Sequence, residues 1–112
     1  MDAAAVLAAP VFTGTTSPRE LRALAALMRG PVTREALDRT AGSSNSPDVV
    51  FRLRKKGLGA TDCLLCELRR HVDRDGRTVE PGTYVLTDEG RRRVRDWLDR
   101  TGMTLADLPS FT

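Results

Sequence analysis

Residues 33–58 read TREALDRTAGSSNSPDVVFRLRKKGL, and this stretch predicts two short helices joined by a tight polar turn. Thr33 can cap the first helix, because its hydroxyl accepts from the free N–H groups of the first turn. Gly42 is placed to end that helix, and the serines and asparagine after it favour a turn. Pro47 suits the start of the second helix, and Gly57 can end it in a left-handed conformation.

The second helix is predicted to have a basic, polar outer face. On a wheel of about 100° per residue, Val49, Val50 and Leu53 fall on one side and are expected to face the core. The residues that fall roughly opposite are Ser44, Asp48, Phe51, Arg52 and Lys55, with Arg54 and Lys56 at the flanks. Such a helix suits the major groove of DNA, whereas the simpler interpretation is a solvated surface helix.

The chain of 112 residues is expected to form one domain over residues 17–101, with a tail or short helix at 1–16 and a tail at 102–112. The net charge is only +3, but the basic residues cluster and the pI of about 9.4 favours an anionic partner. No hydrophobic run has the length of a membrane span, and the N-terminus lacks the basic region of a signal peptide. We therefore expect a cytoplasmic protein with reduced thiols and no membrane partner.

A β-hairpin is predicted after the two helices. Side chains over residues 64–72 alternate in part, with Leu68 and Val72 on the same side of the strand. Residues 73–76 read DRDG, which is typical of a hairpin turn, and the return arm is interrupted at Pro81 before it recovers. The basic residues at the tip of this hairpin are Arg74 and Arg77.

One further helix is predicted on each side of these elements. Ser17 opens the first helix with a capping-box pattern toward Glu20. Thr87 can cap the last helix, in which apolar residues such as Trp97 make a core face. The arginines of that last helix, Arg91, Arg92, Arg93 and Arg95, are expected to be mostly exposed.

The order helix, helix, helix, hairpin, helix resembles that of winged helix-turn-helix proteins, which are mainly α with a small β-hairpin (α+β). The resemblance is carried by the segment GPVTREALDRTAG, the helix led by Pro47 that ends in RLRKKGL, the hairpin, and the exit YVLTDEGR at residues 84–91. It covers residues 17–100. The chain is also similar to short winged-helix proteins encoded in phage and prophage genomes, in which a turn like Ser-Asn-Ser-Pro opens the recognition helix.

The resemblance implies binding of double-stranded DNA by a transcriptional regulator. In DNA-binding members, the helix that matches residues 46–56 enters the major groove, and the hairpin tip, here residues 73–77, touches the backbone or the minor groove. The residues expected to face bases are Ser44, Asp48, Phe51, Arg52 and Lys55, and those expected to face phosphates are Arg54, Lys56, Arg74 and Arg77. Arg52 is the best candidate for guanine, because its fork donates to two acceptors at once.

Two of these residues fit DNA poorly. Asp48 would repel phosphate, and its simpler role is that of a first-turn acid that complements the helix dipole. Phe51, expected to be exposed, could touch a thymine methyl or pack on a protein, which leaves open a winged-helix module that binds protein in a phage or host assembly. A homodimer would let two copies cover two half-sites, with the apolar N-terminal stretch or the last helix supplying the contact.

Metal and enzyme chemistry have little support in the sequence. Cys63 and Cys66 have the spacing of half a zinc site, but a structural zinc needs four ligands and His71 is the only other soft one. Buried or half-buried thiols are the simpler interpretation. The single histidine leaves no base for a nucleophile, and no glycine-rich phosphate loop follows a strand. We expect no catalytic residues, no metal and no cofactor.

Overall fold

The computed structural model describes residues 11–42 and 46–108. These residues form α1 (Pro18–Arg29), β1 (Val32–Thr33), α2 (Arg34–Ala41), α3 (Ser46–Lys55), β2 (Leu64–Leu68), β3 (His71–Val72), β4 (Thr78–Val79), β5 (Gly82–Leu86) and α4 (Asp88–Thr101), with a 3-10 turn at Leu105–Asp107. The predicted helices and hairpin are present in the predicted order, and the fold is α+β. The predicted turn between α2 and α3, and the two ends of the chain at 1–10 and 109–112, lie outside the described residues.

The helices begin and end largely where local side chains predict. Thr33 Oγ1 accepts from Ala36 N at 3.2 Å at the start of α2, and Thr87 caps α4 in the same way. Gly42 ends α2, as predicted, and it does so in the left-handed region. The capping box at α1 is only half formed: Ser17 accepts from the Glu20 N–H, but Glu20 turns its carboxylate elsewhere. Burial explains this difference, since Glu20 is 3% exposed and has a charged partner inside the fold.

The sheet is antiparallel, with β5 between β1 and β2. Leu68 of β2 lies opposite Gly82 of β5, and Val72 of β3 lies opposite Thr78 of β4. The same register therefore runs through both strand pairs, and the two arms of the hairpin form one ribbon. The two-residue strand β1 was not expected from the sequence, because two residues are too few to show a period.

The ribbon is interrupted once, opposite Pro81. The Arg69 N–H donates to the Pro81 carbonyl at 3.3 Å, but proline has no N–H with which to return the bond. The ladder is therefore incomplete at this point, and β2 and β3 are separate strands. The interruption that the sequence predicts at Pro81 is confirmed.

The core lies between the helices and the inner part of the sheet. Val49, Val50 and Leu53 of α3 face it, as predicted. Phe12 is fully buried and meets Trp97 of α4 edge to face, with 5.2 Å between the ring centroids. Phe12, in the segment that was predicted to be a tail or short helix, thus packs on the last helix.

Arg93 corrects the expectation that the arginines of α4 are mostly exposed. Its side chain is 8% exposed, and it donates to Glu89, Asp62 and the Gly57 carbonyl. The reason is geometric, because residue 93 lies on the same helical stripe as the buried Gly90 and points at the loop that follows α3. Three acceptors make the burial of this guanidinium tolerable.

Candidate nucleic-acid interface

The outer face of α3 carries the residues predicted to read bases. Arg52 and Asp48 form an exposed ion pair, with 3.1 Å between Arg52 Nε and Asp48 Oδ2. Phe51 is 56% exposed, which confirms its predicted exposure, and the Lys55 ammonium lies 5.3 Å from the centre of its ring. These four side chains therefore form one continuous outer face. Ser44, the fifth predicted residue, lies outside the described residues.

The N-terminal end of α3 is anchored by a carboxylate from α2. Ser46 is fully buried, and its N–H donates to Asp38 Oδ1 at 2.6 Å while its hydroxyl donates to the Arg34 carbonyl at 3.3 Å. Hydrogen bonds from Ser46 hold the pKa of Asp38 below its usual range. The sequence gives no local signal for this anchor, because Asp38 acts as a cap from the preceding helix.

The C-terminal end of α3 is tied down by two residues that were predicted to contact phosphates. Arg54 donates from Nε and Nη2 to the Leu64 carbonyl, at 3.0 and 2.8 Å. Lys56 forms an ion pair with the buried Glu20 of α1. Both cations therefore hold the helix within the fold. Long basic side chains at the flanks of a helix can reach internal acceptors, and helical spacing alone does not reveal this.

The turn at the hairpin tip is held by hydrogen bonds to Asp73, and two exposed cations extend from it. Asp73 Oδ1 accepts from the N–H groups of Asp75 and Arg77, at 2.9 Å each. Gly76 has a φ of 79°, which allows the tight turn. The side chains of Arg74 and Arg77 are exposed and form no ion pair or hydrogen bond with the rest of the described chain.

An open groove of about 970 Å³ separates the hairpin tip from the first turns of α2. Its charged walls include Arg34, Glu35, Asp38 and Arg39 from the helix and His71, Asp73, Arg74 and Asp75 from the hairpin. The tip thus faces α2 across this groove, and Arg34 is a candidate contact residue that the sequence analysis missed. The available signal was its position, since the first turn of a helix favours acids and a cation there is unusual.

Most arginines of α4 are occupied inside the molecule. Arg91 donates to the Leu86 carbonyl at 2.6 Å, and Arg92 bridges Glu89 and Asp96. With Arg93 buried, Arg95 is the member of the group whose side chain forms no hydrogen bond or ion pair within the described part of the chain. Arg92 is exposed, and its partners are acidic residues of the same helix.

The two cysteines have different environments. Cys63 is buried, and burial raises the pKa of its thiol, so the thiol is neutral near pH 7. Cys66 is exposed on β2. Over residues 11–42 and 46–108, no three histidine, cysteine or acidic side chains cluster as metal ligands would.

The described helices do not include one that is long and apolar enough to cross a bilayer.

Comparison with family models, curated proteins and solved structures finds no match for the chain. The arrangement itself offers hydrogen-bond donors and positive charge at two places, the outer face of α3 and the hairpin tip.

Proposed function

We propose that this protein is a winged helix-turn-helix regulator that binds double-stranded DNA with α3 in the major groove and the hairpin tip on the backbone. The observation that carries the proposal is the outer face of α3, which is basic, exposed and anchored at both ends of the helix. The sheet order, with β5 between β1 and β2, supports a wing built from the hairpin. A DNA-binding regulator must be in the compartment that holds the DNA, and the cytoplasmic location expected from the sequence fits this requirement.

Arg52 is the residue that we propose reads a base. Asp48 accepts from its Nε, and this contact leaves both Nη groups without a partner among the described residues. Two parallel N–H groups match the O6 and N7 acceptors of guanine in the major groove. Asp48 then has a positioning role, since it limits the orientations of the guanidinium before DNA arrives.

The residues that we propose contact phosphates differ from the set that the sequence predicts. Of the predicted phosphate contacts, Arg74 and Arg77 remain, because their side chains extend into solvent. Lys55, which was predicted to face bases, joins them for the same reason. Arg54 and Lys56 leave the set, since releasing them would break the Leu64 contact and strand the buried Glu20 carboxylate. Arg34 joins as a residue beside the hairpin tip.

The first experiment is binding of a labelled random duplex of 20–30 base pairs across a salt series. Such a duplex spans about two to three helical turns and holds one or two half-sites. We expect affinity to fall steeply as salt rises, because each neutralised phosphate releases counterions. A duplex sequence that the protein prefers is then selected from a random pool.

Arg52→Ala is expected to weaken binding to the selected duplex by roughly 1–3 kcal/mol and binding to random DNA much less, because a bidentate base contact is lost. Arg95→Ala is the matched control, since it removes one exposed arginine whose side chain forms no hydrogen bond or ion pair with another described residue. We expect it to leave the preference between the two duplexes unchanged. An equal loss on both duplexes for Arg52→Ala would remove its base-reading role.

A second candidate function rests on Phe51, a ring that is 56% exposed and could pack on a protein surface. In this alternative, the outer face of α3 holds a protein in a phage or host assembly. The salt series separates the two functions, because this alternative requires no binding of the duplex even at low salt. Capture of a partner by the native chain but not by Phe51→Ala would then support the protein-binding module.

A further inference from the structure

Strand β2 forms an open edge of the sheet. The hydrogen bonds between the hairpin arms run from Thr87 N to Cys63 O, from Arg69 N to Pro81 O and from Asp73 N to Arg77 O, at 2.8, 3.3 and 2.9 Å. All of them join odd-numbered residues. Because pairing alternates along antiparallel strands, the even-numbered residues of the first arm point their N–H and C=O groups away from the second arm.

The usable part of this edge begins at Cys66. The outward backbone groups of Leu64 are already paired, because its N–H donates to the Gly59 carbonyl and its own carbonyl accepts from Arg54. Beyond it, no described residue pairs with the outward groups of Cys66, Leu68 or Arg70. Leu68 is 74% exposed and Val72, on the same face, is 62% exposed. Backbone groups and apolar side chains are thus open together, which is the pattern of a strand that pairs with another chain.

We propose that a second copy of this chain pairs antiparallel with the free edge of β2, with the two-fold axis at Leu68. In this register Leu68 meets its own copy, and Glu67 of each chain lies opposite Arg69 of the other. The outward groups of Cys66 and Arg70 complete the ladder on either side. The paired strands would join two three-stranded sheets into one continuous sheet.

Charge selects this register among the two-fold alternatives. An axis at Glu67 or at Arg69 would place like charges directly opposite, which is unfavourable. An axis at Arg70 would oppose Arg70 to itself, and an axis at Cys66 would need the Leu64 edge that Arg54 already closes. Among the axes at residues 66–70, the one at Leu68 places unlike charges opposite each other and an exposed leucine at the centre. Glu67 and Arg69 already pair within the chain at 3.0 Å, on one face of the strand.

This dimer differs from the one expected through the N-terminal stretch or the last helix, and it does not depend on DNA binding. Disulfide trapping tests the axis directly, in chains that also carry Cys66→Ser and are treated with diamide. Leu68→Cys is expected to crosslink two chains, because residues on the axis have Cα atoms about 5.5 Å apart, within the range of a disulfide. Val72→Cys is the matched control, since two copies of residue 72 would lie about 27 Å apart.

Charge exchange tests the register without cysteines, by sedimentation of the reduced chain over a concentration series. Glu67→Arg alone is expected to weaken the dimer about tenfold or more, because two opposed pairs become repulsive, and Arg69→Glu alone should do the same. The double exchange should restore the dimer at the same net charge. Circular dichroism checks that each variant is folded, which we expect because both side chains are exposed.

Three results would overturn the proposal. The first is a chain that stays monomeric at high concentration. The second is equal crosslinking, or none, through residues 68 and 72. The third is a dimer that neither charge variant weakens, since it would use another surface.

Discussion

At the scale of single residues, Gly57 and Gly102 show how much a glycine's surroundings matter. Both have a positive φ, of 124° and 74°. A Cβ on Gly57 would lie 2.0 Å from the Val11 carbonyl oxygen, whereas one on Gly102 would meet no atom within 4 Å. Gly57 therefore serves a close backbone approach as well as a helix end.

We expect Gly102→Ala to lower the free energy of unfolding by about 1–2 kcal/mol, through left-handed strain alone. Gly57→Ala should cost roughly 1–3 kcal/mol more, because the segment at Val11 must move. Urea unfolding of both variants measures the difference. Equal losses would mean that the N-terminal segment adapts without cost.

At this scale, the sequence predicts those features that depend on residues near in the chain. Caps such as Thr33 and core positions such as Leu53 depend on neighbours within a turn or two, and both predictions are confirmed. Asp38, Arg54 and Arg93 act on residues that the fold brings near, so no spacing reveals their partners. The candidate site was predictable as a helix face, but two of its predicted phosphate contacts are occupied within the fold for this reason.

At the scale of one element, α4 is a basic helix whose charge is largely compensated. Hydrogen bonds from Arg92, and then from Arg93, lower the pKa of Glu89 to about 2. The unfolded chain binds this proton near pH 4.5, the ordinary value, and the folded chain binds it only near pH 2. The ion pairs therefore stabilise the fold fully above about pH 4.5, and this contribution is lost as pH falls toward 2.

Glu89→Gln is expected to be less stable than the native chain at pH 6 and to lose less stability on acidification. Asp99→Asn is the control, because Asp99 is exposed and its carboxylate contacts no other described residue. Unfolding in urea at pH 6 and at pH 3 gives the comparison. Parallel acid losses in Glu89→Gln and the native chain would show that the Glu89 pairs do not contribute to folding.

At the scale of the whole molecule, a net charge of +3 conceals an uneven distribution of cations. Those near α4 and the flanks of α3 are bonded within the fold, while the hairpin tip keeps two that are not. The proposed DNA footprint is therefore small and divided between α3 and the tip. Clusters of basic residues in a sequence therefore overestimate the positive charge that is accessible to a partner.

The double variant Arg74→Ala and Arg77→Ala is expected to weaken binding to all duplexes alike. It should also reduce the slope of log affinity against log salt by about 2, because each phosphate contact contributes roughly 0.9. The salt series measures both effects, with Arg95→Ala as the control for lost charge. An unchanged slope would remove the hairpin tip from the proposed interface.

The contact between Arg100 and the Phe12 carbonyl, 88 positions apart at 2.6 Å, has a consequence for synthesis of the chain. Phe12 leaves the ribosome early, but its partners in α4, including Trp97, are translated more than eighty residues later. The segment that crosses the C-terminal end of α3 can therefore complete its packing only after α4 has emerged. Until then the core around α1–α3 lacks the contacts of α4, so the final fold forms only after synthesis of α4 is finished.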